Sequence, residues 1–116
     1  MRSSIGLLSL ALLAGCTTPT MDEIRQEEPR MVLHSKKTDK VIADCVQRAW
    51  QDLPVFEGSA GATQELNSNG GYTVATVGEA YFVDIQADTD GSVAKYYAMT
   101  YRWISKKHLA ALQSCL

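Results

Sequence analysis

The sequence predicts a small α+β domain: an antiparallel meander of three to four strands, flanked by an N-terminal and a C-terminal helix and linked by a disulfide. Three observations carry this. Apolar residues recur at spacings of three and four over residues 38–53 and again after residue 105. Between those stretches, runs of alternating apolar and polar residues are separated by turn formers. Two cysteines sit on the two apolar stripes. Helices that bracket a run of strands pack on a sheet as an α+β fold. The full length of 116 residues allows one such domain.

Thr38 opens the first helix as N-cap, with Asp39 in the first turn, where the helix dipole favours a negative charge. Val41, Ile42, Cys45, Val46, Ala49, Trp50 and Leu53 form its apolar stripe. Pro54 ends it, because proline disfavours helical geometry in the residue before it. A first strand is expected near Ala62 to Leu66. Asn67 to Gly71 is a strong turn signal, and Tyr72 to Val77 is rich in strand formers. Gly78-Glu79 has glycine first, as a type II′ hairpin turn demands. Tyr81, Val83, Ile85 and Ala87 then alternate with Phe82, Asp84 and Gln86. After the turn Asp88 to Gly91, Val93, Lys95, Tyr97, Met99 and Tyr101 alternate with Ala94, Tyr96, Ala98 and Thr100. Ser105 is the expected N-cap of the closing helix, with Leu109, Leu112 and Cys115 or Leu116 on its stripe.

Thr17 to Ser35 has prolines at 19 and 29, several charges and few apolar residues, which reads as a linker. As coil it would average about 24 Å end to end and reach at most about 65 Å. Met21 to Gln26 could form a short helical turn, and Met31-Val32-Leu33 is an apolar patch suited to docking on the domain.

Chemistry is sparse. The 11 basic and 13 acidic residues give a net charge of −2, without the basic surface that nucleic-acid binding requires. His34 and His108 belong to no zinc-type spacing, and no nucleophile motif accompanies them. Asp84, Asp88, Asp90 and Gly91 are the nearest approach to a metal constellation, but the late bidentate acid of a calcium loop is missing and a β-turn accounts for them. Glu57 to Gly61 lacks the lysine ending of a phosphate loop. No catalytic residue, metal or cofactor is therefore expected. The aromatic residues on and after the last strand offer more. Tyr96, on a face of small residues, with Arg102 and Trp103, is the candidate partner-binding set, with Lys95, Lys106 and Lys107 nearby.

The first residues form an address. Arg2 precedes an apolar run from Ile5 to Leu13, too short for the roughly 20 residues of a membrane-spanning helix. Leu13-Ala14-Gly15-Cys16 resembles the lipobox of bacterial lipoproteins. The resemblance implies diacylglyceryl transfer to the Cys16 sulfur, cleavage before Cys16 and acylation of the new amino terminus. Two or three acyl chains would hold the protein in a bilayer, where one alone holds only marginally. Thr17 stands where an aspartate commonly marks inner-membrane retention, so the expected place is the periplasmic face of the outer membrane. The layout is similar to that of small two-cysteine envelope lipoproteins of proteobacteria. The implied organisation is a signal peptide at 1–15, a lipidated tether at 16–35 and a domain at 36–116. Cleavage removes one cation, Arg2, leaving 10 basic and 13 acidic residues and a charge of −3.

With Cys16 assigned to lipid, Cys45 and Cys115 remain as a pair. In an oxidising compartment a pair is expected to bond. Closing a loop of about 70 residues is worth roughly 4 kcal/mol in the chain-entropy model. The expected function is a non-enzymatic accessory or adaptor that binds an envelope protein or assembly. The alternative is a small-ligand-binding or enzyme-inhibitor module in the periplasm. A concave apolar pocket, or a protruding loop at residues 57–70, would favour the alternative; an open strand edge with an aromatic patch would favour the adaptor.

Overall fold

A computed structural model describes residues 19–54 and 61–116. Its elements, in order, are α1 (Met21–Arg25), β1 (Met31–Ser35), α2 (Asp39–Gln51), β2 (Ala62–Leu66), β3 (Tyr72–Thr76), β4 (Tyr81–Asp88), β5 (Gly91–Ala98) and α3 (Trp103–Gln113). The strands form one antiparallel sheet in the order β1-β5-β4-β3-β2. The α+β class and the meander from β2 to β5 are as expected. Among the described residues the strand count is five, not three or four.

The additional strand comes from residues read as the end of a linker. Met31–Ser35 pairs with Ser92–Tyr96 and closes the sheet beside its last strand. The linker composition of residues 17–35 conceals this because the apolar stretch is short and lies between Pro29 and two lysines. The possible helical turn at Met21–Gln26 is α1, capped by the Thr20 hydroxyl, which accepts from the Glu23 N–H.

Helix α2 follows the sequence closely. The Thr38 hydroxyl accepts from the Val41 N–H, and Ile42, Ala43, Val46 and Trp50 are buried. Two local expectations need correction. Arg102, not Ser105, is the N-cap of α3; Ser105 is the third helical residue, and its hydroxyl accepts from the Arg102 N–H and donates to the Arg102 carbonyl. Gly78 is third, not second, in its turn, because the Glu79 N–H bonds to the Thr76 carbonyl. Its φ of +91° fits the glycine place of a type II turn. Gly91 is required more strictly: its φ is +148°, and a Cβ there would strike the Ser35 carbonyl.

Both α2 and α3 pack on one face of the sheet. The core there contains Ile42, Val46, Trp50, Val74, Val83, Ile85, Ala94, Tyr96, Ala98, Leu109 and Leu112. Ala94 and Ala98 are small where helices must approach the sheet. The Trp50 indole N–H donates to the His108 carbonyl at 2.9 Å, so its one polar atom is satisfied in the core. Cys45 of α2 and Cys115, just after α3, form a disulfide with Cα atoms 5.8 Å apart. A smaller cluster on the other sheet face joins Ile24 of α1 to Ala75, Phe82 and Tyr97.

Candidate functional site

The aromatic candidates separate once the sheet faces are known. Tyr96 is fully buried, and its hydroxyl donates to the Ser105 carbonyl at 2.7 Å. Its ring meets Trp50 edge-on, and burial pushes its hydroxyl pKa well above the ordinary tyrosine value. Tyr96 is therefore a core residue that ties β5 to α3, not a contact residue. The small neighbours that made its face look open are what admits the helices.

Arg102 and Trp103 are exposed at the start of α3, where the chain turns out of β5. Trp103 is 54% exposed and Tyr101, two residues before it, 42%. Cations stand over both rings. The Arg30 guanidinium lies 5.7 Å and the Lys106 Nζ 5.5 Å from the Tyr101 ring, and the Lys107 Nζ lies 5.8 Å from that of Trp103. Arg30 also donates to the Ala98 carbonyl at 3.2 Å. The result is a basic, aromatic rim at the end of the sheet where β5 finishes and β1 begins. Arg30 is the member that local spacing misses, because it enters from 71 residues before Tyr101 in the sequence.

A polar clasp on the outer sheet face fixes the N-terminal segment. Arg25 of α1 grips Asp84 of β4 with two hydrogen bonds, of 2.7 and 2.9 Å. The Thr73 hydroxyl donates to the same carboxylate at 2.7 Å, and the Asn67 amide donates to it at 3.3 Å. The Arg25 guanidinium lies 5.0 Å from the Phe82 ring, and the hydrogen bond to Asp84 is the main reason its hold on its proton is raised. Bidentate pairing fits the planar guanidinium fork to a carboxylate. Asp84 is thus engaged by Arg25, while Asp88 accepts from the Asp90 N–H inside its own turn. Among the described residues, no three of His, Cys, Asp and Glu are grouped to hold a metal.

The histidines are far apart in role. His34 is exposed on β1, 3.9 Å from the Asp88 carboxylate. His108 is fully buried, stacked on Tyr81 at 4.8 Å and edge-on to Trp50. Its Nδ1 lies 2.8 Å from the Ile104 carbonyl, which can only accept, so Nδ1 carries the proton. Its Nε2 is buried with no hydrogen-bond partner among the described residues.

The described residues leave two hollows of note, both open to solvent. One, of about 340 Å³, lies between α1 and the end of β5 and is lined by Pro19, Glu23, Ile24, Glu27, Ala98 and Met99. The other, of about 440 Å³, lies at the opposite end of the sheet, beside His34 and Asp90. Cys16, and residues 57–60 of the suggested loop, lie outside the described residues. No family model matches the chain, and neither does any curated protein or solved structure.

Proposed function

We propose that the chain is a bacterial envelope lipoprotein, acylated at Cys16 and held at the periplasmic face of the outer membrane, whose domain serves as a non-enzymatic adaptor for an envelope protein or assembly. The observation that carries the adaptor role is the edge strand β1. Met31, Val32, Leu33, His34 and Ser35 contain no Asp, Glu, Lys, Arg or Pro. Met31 and Val32 are exposed, and among the described residues β1 has a strand neighbour, β5, on one side only. Edge strands that must stay unpaired are ordinarily blunted by charge or proline. An edge without these devices suits a partner that adds a strand, with main-chain hydrogen bonds supplying affinity.

The test is a photoreactive residue in place of Val32, activated in intact cells, with the linked partner identified by mass spectrometry. We expect one dominant envelope protein, and strong loss of the crosslink when His34→Lys places a charge on the same edge. Crosslinks that are diffuse, or unchanged by that lysine, would remove β1 as the binding edge.

A further inference from the structure

We propose that the rim formed by Arg30, Tyr101, Arg102, Trp103, Lys106 and Lys107 seats the domain on the anionic headgroups of a phospholipid bilayer. This rests on the reading of Cys16 as the lipidated residue. The first argument is distance. The chain is already structured at Thr20, which caps α1. Three residue steps separate Cys16 from Pro19, a span of at most about 11 Å. The expected leash of about 65 Å is thereby cut to a fraction, and a domain held this closely rests against the headgroups.

The second argument is placement. The Arg25–Asp84 clasp and the packing of Ile24 on the outer sheet face fix α1, and so fix where the chain leaves the domain. That exit lies at the end of β5, since Pro19 lines the same hollow as Ala98 and Met99. Arg30 bonds the Ala98 carbonyl and stands over Tyr101, so the rim begins beside the exit. Of the two ends of the sheet, the rim end is therefore the one the anchor draws to the bilayer.

The third argument is chemistry. Tyrosine and tryptophan rings, with an apolar body and a polar edge, favour the headgroup level. Each lysine or arginine within a Debye length of an anionic surface raises partition about fivefold. Glu23 and Glu27 line the hollow beside Pro19 and are repelled by the same surface, so the domain tilts away from α1 and toward Tyr101 and Trp103. The anchor supplies attachment, and the asymmetry of charge supplies orientation.

The experiment uses the full mature protein, acylated in cells and reconstituted into vesicles of phosphatidylcholine with or without 30% phosphatidylglycerol. Both compositions carry a headgroup-level fluorescence quencher. Of the two tryptophans, Trp50 is buried and Trp103 is exposed, so quenching reports on Trp103. We expect quenching at least twofold greater in the anionic vesicles. It should fall to the neutral level in the variant Lys106→Glu/Lys107→Glu and stay unchanged in Lys36→Glu/Arg48→Glu, which reverses cations elsewhere. Equal quenching in both vesicles, or no response to Lys106→Glu/Lys107→Glu, overturns the seating. Fatty-acid labelling of the same preparation separates the two claims. A labelled protein without anionic quenching refutes the seating alone, whereas failure of Cys16 to take label refutes the anchor and the seating together.

Discussion

At the scale of single residues, His108 shows what burial does to a polar side chain in a small core. Burial against Tyr81 and Trp50 lowers its pKa below the ordinary histidine value by desolvation, which outweighs the opposing hydrogen bond to the Ile104 carbonyl of α3. The neighbouring Lys107 charge also lowers it. An unfolded histidine takes a proton near pH 6.5, and the folded one resists it, so acid favours unfolding. Stability should be level above about pH 7 and decline as the pH falls below about 6.5, by at most about 1.4 kcal/mol per pH unit for this one group. Urea titrations of wild type and His108→Leu across pH 5–8 check it; an unchanged slope in the variant would disprove the assignment. Tyr96 carries the complementary lesson. Strict alternation along β5 was legible in the sequence, and so was the separation of Tyr96 from Tyr97. Which face receives the helices was not, because small residues such as Ala94 and Ala98 suit an open surface and a close helix contact alike.

At the scale of elements, α1 has five residues, far below the length at which a helix holds itself in water. It exists through long-range contacts: Arg25 on Asp84, 59 residues away, and Ile24 on the stacked Phe82–Tyr97 pair. The Asp84 side chain is 14% exposed and that of Arg25 27%, so solvent screens the pair only in part. Arg25→Ala and Asp84→Ala should each cost about 1–3 kcal/mol, and the double variant clearly less than their sum, because either change breaks the same bonds. Denaturant unfolding measures the energies, and amide exchange should quicken most over residues 21–35. Additive losses would mean that the clasp contributes nothing as a pair. Helix α2 was legible to within two residues at its C-terminal end because cap, stripe and terminating proline are all local. Of α1 the sequence offered only a possible helical turn, and β1 was not legible at all, since their stabilising partners lie in β4 and β5.

At the scale of the whole molecule, the disulfide joins the first half of the domain to its last residues. Its 70-residue loop spans the entire meander, so the unfolded chain loses most when it closes. Cys45→Ser and Cys115→Ser should lower stability equally, by roughly 4 kcal/mol, and the double variant by no more than either. Thermal unfolding under non-reducing conditions is the measurement, and two free thiols in the wild-type protein would contradict the pairing. The charge distribution also has meaning only at this scale, because Arg30 joins Lys106 and Lys107 through the meeting of β1 with β5. Helix α2 with its cap and the order of strands in the meander were legible in the sequence alone, and so was the pair Cys45 and Cys115 once the lipobox resemblance sets Cys16 aside. These follow from periodicity, turn chemistry and counting, which need no knowledge of distant neighbours. The tertiary structure was needed to make Met31–Ser35 a strand, to turn Tyr96 inward, and to assemble a basic aromatic rim where β5 finishes and β1 begins. Each of these depends on contacts between residues remote in the chain, and local patterns in a sequence do not encode which remote surfaces meet.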